Sequence, residues 1–271
     1  MALRLPWLCI VALAFASARG EEAARDGFRF VHLSDLHCAR AAANPPPQFL
    51  FDVHCKDLVH SFDLVAAAVR EINQAVKPDF VVVTGDLVDR GADVASLERV
   101  KAILDGLACP YYPVIGDHDS REAWQRVFGA ARLNYTFACG GWRFVAADAS
   151  LGRLDAPTMA WLERELGRDA ATPTILLTHR PAVVPEVHVR AAWRLYGTHL
   201  LLKNAAEALA LLGKHPNVRA VLSGHCHMTI DSEVGGVMHS VAPALVEPGH
   251  GYHVVEVRGG KLRSQLRLLG Q

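Results

Sequence analysis

The sequence carries no net charge, since 28 Lys and Arg stand against 28 Asp and Glu in 271 residues. With no basic excess to release counterions from a polyanion, broad electrostatic binding to nucleic acid is not indicated. A small anionic substrate is not excluded by this. Beyond residue 20 there is also no apolar run approaching the ~20 residues that span a bilayer. Cysteines are few and uneven. Of the six, Cys9 lies in the N-terminal apolar stretch, which leaves Cys38, Cys55, Cys109, Cys139 and Cys226, an odd set that cannot all pair within one chain. None of their spacings resembles a zinc ribbon. Neither an internal repeat nor a second domain is visible, and a 51% hydrophobic composition is enough for one sizeable core.

The N-terminus is set apart. Met1 to Arg4 make a short basic start, Leu5 to Ala16 an apolar run, and Ala16-Ser17-Ala18 a small-residue cleavage pattern. This composition predicts a secretory signal peptide over residues 1–18, with an uncleaved anchor as the competing reading. No cysteine follows the small residues, so a lipoprotein signal is not indicated. The expectation is a secreted or periplasmic protein whose single domain occupies residues 27–271. Export permits disulfides, and Cys38 with Cys55, or Cys109 with Cys139, are the pairs to consider.

What the sequence does have is a series of apolar runs that end in chemistry-bearing turns. Val81 to Val83 are β-branched without polar alternation, as in a parallel strand buried on both faces. Gly85 then lets the chain turn and Asp86 follows, in the place beyond a strand's carboxyl end where α/β proteins collect their chemistry. Phe28 to Ser34 delivers Asp35 and His37 in the same way, Tyr111 to Ile115 delivers Asp117 and His118, Thr174 to Thr178 delivers His179, and Val218 to Ser223 delivers His225 and His227. Between them, Leu58, Phe62, Val65, Val69, Ile72 and Val76 have helical spacing, with Asp57 as cap and Pro78 as stop. Helices are also predicted over Ala95–Leu107, Arg121–Phe128, Thr158–Leu166 and from an Asn204 cap to Gly213. Tyr135–Asp148 reads as a hairpin, and Thr229–Leu268 as antiparallel strands turning at Gly235-Gly236 and Gly259-Gly260. Ala39–Lys56 and Ala182–His199 read as rim loops, carrying His54 and His188.

Singly, each strand end has a plain structural explanation, such as a capping Asp or a solvated His. Five such ends in one chain point to a metal centre. Mixed imidazole and carboxylate donors suit manganese, iron or zinc. Two ions about 3.5–4 Å apart can activate a water and clamp an in-line displacement at phosphorus.

The ordered set of DxH at Asp35, GDxxD at Asp86 and Asp89, GxHD at Gly116, His179, and GHxH at Gly224 resembles the calcineurin-like metallophosphoesterases. The stretch from Leu202 to His227 is similar to the branch containing class III cyclic nucleotide phosphodiesterases. The resemblance implies an α/β fold, a four-layer α/β/β/α sandwich of two mixed sheets flanked by helices. It also implies two metal ions (Mn, Fe or Zn). Asp35, His37 and His227 would hold one ion and Asp117, His179 and His225 the other, with Asp86 between them. The implied reaction is metal-hydroxide attack on a small phosphodiester, with His118 protonating the leaving alkoxide and Asp89 orienting His118. Arg90, in a run like that of serine/threonine phosphatases, and Arg180 are candidate phosphate contacts. Each has an alternative, as a solvated arginine and as the partner of a nearby carboxylate. Asp117 stands where the family usually has Asn, which suggests tighter metal retention and weaker stabilisation of an anionic substrate. Cys226 is expected to point away from the ligands beside it. A phosphomonoesterase, a protein phosphatase and a non-catalytic binding protein remain the alternatives.

Overall fold

A computed structural model describes residues 27–40, 56–185 and 200–270. The predicted leader, Cys55, His54, His188 and most of both rim loops lie outside the described residues. The strands are β1 (Gly27–Leu33), β2 (Phe80–Val83), β3 (Tyr111–Pro113), β4 (Tyr135–Cys139), β5 (Trp142–Ala146), β6 (Thr174–Leu177), β7 (Val218–Ser223), β8 (Ile230–Val234), β9 (Val237–Val241), β10 (Gly251–Arg258) and β11 (Lys261–Leu268). Five of them form one sheet in the order β11-β10-β1-β2-β3, and six form another in the order β4-β5-β6-β7-β9-β8. Both sheets are mixed. β1, β2 and β3 run parallel in the first, and β5, β6 and β7 in the second.

The period of two along each strand sorts the side chains into layers. Val31, Leu33, Val81 and Val83 face outward against Val65 and Val69 of α1 (Ser61–Glu71) and Leu97 and Val100 of α2 (Val94–Leu104). The alternate residues Phe28, Phe30, Phe80 and Val82 face inward onto Trp142, Phe144, Ile175 and Leu222 of the other sheet. Phe30 and Phe80 stack at 4.9 Å between ring centres, and Phe144 meets Phe80 edge-on at 5.0 Å. On the far side of the second sheet, Val145, Leu176 and Val221 pack on Leu162 of α4 (Ala156–Gly167) and Leu211 of α5 (Ala205–Gly213). α3 (Arg121–Phe128) adds Trp124 to the first outer layer. This is the expected α/β/β/α sandwich.

Several local expectations are corrected. Asp57 does not cap α1. The helix begins at Ser61, and the Asp57 carboxylate accepts the His60 N–H at 3.1 Å, in the turn ahead of it. The apolar run ends in a π-helical stretch, Ile72–Val76, and left-handed Lys77 precedes Pro78. Asn204 sits before α5 but spends its amide on Leu154, donating to the carbonyl at 2.8 Å and accepting the N–H at 3.1 Å. The 229–268 stretch forms two antiparallel hairpins, yet they belong to different sheets, and β9 pairs parallel to β7. Cys109 and Cys139 are both free thiols, as are Cys38 and Cys226.

Candidate metal centre

The carboxyl ends of β1, β2, β6 and β7 meet at one place, and the backbone there is bent in an unusual way. Asp35, His37, Asp86, His225 and His227 all have φ between 36° and 68°. For residues with a Cβ the left-handed region costs on the order of 1 kcal/mol or more each, so the surroundings must impose it. They do so by lacing the turns together. Asp35 N–H donates to Gly85 O at 3.1 Å, His37 N–H to Asp86 O at 2.9 Å, and His225 N–H to Asp35 Oδ2 at 3.0 Å. Two glycines permit the approach. A Cβ on Gly85 would lie 2.5 Å from His179 Nδ1, and one on Gly224 would lie 1.8 Å from Ser34 Oγ.

The side chains then form two groups that share no residue, with a third, His37, Asp89 and His118, overlapping one of them at His37. Asp35, His37 and His227 present donor atoms within 4.8 Å of one another, and so do Asp86, Asp117, His179 and His225. In the first, His227 Nε2 lies 3.0 Å from His37 Nε2 and 3.3 Å from Asp35 Oδ1. In the second, His179 Nε2 lies 2.9 Å from Asp117 Oδ1, which is 3.4 Å from His225 Nδ1. Asp86 Oδ2 faces both groups, 3.2 Å from His179 Nε2 and 3.6 Å from His37 Nε2. A single carboxylate oxygen thus stands between two donor sets.

The tautomers fit metal binding. A carbonyl can only accept, so His179 Nδ1–H must donate to Thr84 O, at 2.7 Å, which leaves Nε2 as the nitrogen that would bind an ion once its own proton is displaced. His227 Nδ1–H donates to Glu247 Oε1 at 2.5 Å, with the same consequence. At His37, two groups compete for Nδ1. Asp89 Oδ1 at 3.5 Å requires its proton and Lys56 Nζ at 3.2 Å its lone pair. An ion at Nε2 would resolve the competition in favour of Asp89.

Electrostatics agree with this donor set. Burial opposes the charge of Asp35, but His227, His179 and His37 outweigh it and hold its carboxyl far below the usual range. Asp86 is likewise buried yet lowered to about 2, chiefly by His179 and His37. Burial opposes Asp117 too, and hydrogen bonds to His179 and His225 hold it far below normal. In return, His179 is raised well above the usual value against its burial, by Asp86, Asp117 and Asp35. His227 rises to about 9 against its burial, under Asp35 and Glu247. Burial takes His37 down to about 4. Protons on two imidazoles therefore compensate the carboxylates where cations would otherwise do so.

The remaining expected residues are placed differently from one another. His118 is exposed, its N–H donates to Asp86 Oδ1 at 2.8 Å, and its ring stands perpendicular to that of His37 at 4.7 Å. Its ring Nδ1–H donates to the backbone carbonyl of Asp89 at 2.9 Å. Asp89 therefore holds His118 through its main-chain carbonyl, while its carboxylate lies against His37 and Lys56. Arg90 is exposed. Arg180 is buried, and its Nε and Nη2 both donate to Asp117 Oδ2, so it is the partner of a carboxylate. Cys226 is fully buried with Sγ 3.8 Å from Leu200 O, outside both groups.

Three contributors went unread in the sequence. Glu247 and Lys56 had no motif to mark them, and Thr84 acts through its carbonyl. Asp119 is visible as the last residue of GxHD, but its work is structural. Its carboxylate accepts the N–H groups of Gly116, Val88 and Leu87 at 2.9, 3.1 and 3.3 Å, tying the β2 and β3 turns together. Burial, with the charge of Asp86, pushes it up to about 7.

The model of the calcineurin-like phosphoesterase family matches residues 28–228. A protein of Synechococcus named a probable cyclic nucleotide phosphodiesterase is 33% identical over 169 residues, 60% of this chain and 63% of its own. A cAMP/cGMP dual specificity phosphodiesterase of Mycobacterium tuberculosis is 28% identical over 236 residues, 77% of this chain and 71% of its own. The match covers less than two thirds of the length of some relatives, 63% for the Synechococcus protein and 62% for a Nostoc phosphodiesterase. The crystal structure of a dimetal phosphatase from Danio rerio shares the fold, with a TM-score of 0.71 at 16% identity over 90% of this chain and 97% of its own. With a match spanning both donor groups and most of both sheets, the chain belongs to the calcineurin-like phosphoesterase family.

Proposed function

We propose that this chain is a metal-dependent hydrolase of phosphodiesters, with a cyclic nucleotide as the first candidate substrate, working at a centre of two ions. The observation that carries the reading is Asp86 Oδ2, set 3.2 Å from His179 Nε2 and 3.6 Å from His37 Nε2 between two donor groups. Relatives named as cyclic nucleotide phosphodiesterases support the substrate class. Asp35, His37 and His227 would hold one ion and Asp117, His179 and His225 the other. Bound there, the pair would supply a water nucleophile near neutral pH and offset the charge of the phosphoryl oxygens.

The chain's own residues do the rest. With ions bound, Asp89, Glu247 and the Thr84 carbonyl would keep protons on the outer nitrogens of three histidines and leave their inner nitrogens to the metal. His118 is held at Nδ1 by the Asp89 carbonyl. Its Nε2 is therefore the atom left to deliver a proton to the departing alkoxide in the imidazolium form. Exposure to solvent lets the ring recover that proton between turnovers. An alkoxide is a poor leaving group, and an acid placed on it matters most in such a reaction.

Bis(p-nitrophenyl) phosphate and p-nitrophenyl phosphate, compared on metal-stripped chain reloaded with manganese, iron or zinc, test the reading. Metal-dependent turnover favouring the diester, followed by cleavage of a cyclic nucleotide, supports it. Preference for the monoester selects the phosphatase alternative, and no turnover with any ion selects the binding protein. Export belongs to the same proposal and rests on the composition of residues 1–20. N-terminal sequencing of the protein from medium or periplasm tests it, since a start at residue 19 agrees and an intact Met1 does not.

A further inference from the structure

Asp117 turns its two oxygens to different tasks. Oδ1 faces the donor group, 2.9 Å from His179 Nε2 and 3.4 Å from His225 Nδ1. Oδ2 accepts from two nitrogens of one guanidinium, Arg180 Nε at 3.1 Å and Arg180 Nη2. Arg180 follows His179 directly at the end of β6, and its side chain is 9% exposed. The fork is thus fixed by the same turn that places the histidine. Guanidinium N–H groups are planar and rigidly spaced, so two of them on one oxygen fix the carboxylate plane as a lysine ammonium could not.

We propose that Arg180 is a positioning residue that holds Asp117 as a one-oxygen ligand for the ion shared with Asp86, His179 and His225. The inference rests on the metal-dependent reading above, and it joins two departures from the family pattern, the acid at 117 and the arginine at 180, into one device. Oδ2 is kept off the ion, and the added negative charge is met by a cation at once. The tighter metal retention suggested for Asp117 then comes from a carboxylate held in place, and not from its added charge alone.

Charge and positioning give different signatures in ion affinity. The attraction between Arg180 and Asp117 exists with or without the ion, so to first order it cancels, and purely electrostatic effects of the two residues add. Orientation does not add, because an Asp117 free to swing contributes less than one already aimed. A double-mutant cycle separates the two.

The experiment uses the full chain, stripped of metal and titrated with Mn²⁺ or Zn²⁺ against a chelating dye. The relevant site is the one that His225→Ala abolishes. With Arg180 present, Asp117→Asn is expected to weaken that site about 10- to 100-fold, the usual effect of disturbing a ligand's setting. In the Arg180→Met background the same change is expected to weaken it at least about fivefold less, and Arg180→Lys, which keeps the charge without the fork, should behave like Met. An equal or larger effect of Asp117→Asn in the Met background overturns the proposal, as does a Lys variant that behaves like wild type. Binding of fewer than two ions by the wild-type chain overturns both this and the two-ion reading. Two ions bound without phosphodiester turnover sinks the proposed reaction alone and leaves the cycle to decide on Arg180.

Discussion

His227 Nδ1 lies 2.5 Å from Glu247 Oε1, and His227 Nε2 lies 3.3 Å from Asp35 Oδ1. One imidazole is therefore held between two carboxylates, Glu247 at Nδ1 and Asp35 at Nε2. Glu247 stands 20 residues beyond His227 in the chain, after a strand hairpin, and it lines a cavity that also borders His250. Its contact with the centre is made at the histidine.

Replacing that acceptor should loosen the ion at Asp35, His37 and His227. Glu247→Gln is expected to weaken ion binding there about 10- to 100-fold. Turnover lost at low metal should return at high metal, with kcat changed far less than the metal concentration required. Metal-activation curves for wild type and variant check this, and an unaltered half-activation point contradicts it.

His118→Gln should separate substrates by leaving group. With an alkoxide to expel, loss of the acid should cost about 100- to 10,000-fold in kcat, whereas a p-nitrophenoxide, already a good leaving group, should lose much less. Rates on a cyclic nucleotide and on bis(p-nitrophenyl) phosphate, measured side by side, test the assignment. Equal losses on both would mean that His118 binds phosphate and does not act as the acid.

The metal-free chain should lose stability in alkali. His227 is raised from 6.5 to about 9, and His179 also lies well above 6.5. A folded-state pKa above the unfolded one gives stability that is complete below about pH 6.5 and lost as pH rises through the folded value, here near 9 for His227. Asp35, Asp86 and Asp117 are shifted the other way, so their contribution is lost only in acid. Metal binding displaces the histidine protons, hence ion affinity should rise over the same alkaline range. Thermal melts of stripped and loaded chain between pH 6.5 and 9.5 check both signs, with Tm falling in the stripped chain and holding in the loaded one.

Stability away from the centre should depend on the contact between the sheets. Phe30 is fully buried and stacks on Phe80 at 4.9 Å. Phe30→Ala should cost about 3–5 kcal/mol in denaturant unfolding, and a loss under 1 kcal/mol would mean that the two sheets close over the gap.

How much of this was legible in the sequence depended on how local each feature was. Strand ends such as Val81–Asp86 and Val218–His227 were readable because an apolar run stopping at Gly, Asp or His marks both the strand and the turn. The layering was not readable from Phe28 to Leu33, where every second residue faces a different core but both cores are apolar. Asp57 and Asn204 make no side-chain cap because their side chains bond His60 and Leu154 instead, contacts that only folding reveals. Glu247 and Lys56 reach the centre through tertiary structure alone. That Arg180 pairs with a carboxylate was open as one of two alternatives, but that the carboxylate is Asp117 was not readable, since no spacing gives the distance between two strand ends.

The central claim is that Asp86 stands between two ions which together support hydrolysis. Its most direct test is the turnover of bis(p-nitrophenyl) phosphate by stripped chain as Mn²⁺ is added in measured equivalents, for wild type and for Asp86→Asn. The account predicts no turnover without metal, a rise that levels at two equivalents in the wild type, and an Asp86→Asn chain that stays inactive at the same loading. Activity that survives stripping, levels at one equivalent, or persists in Asp86→Asn would contradict it.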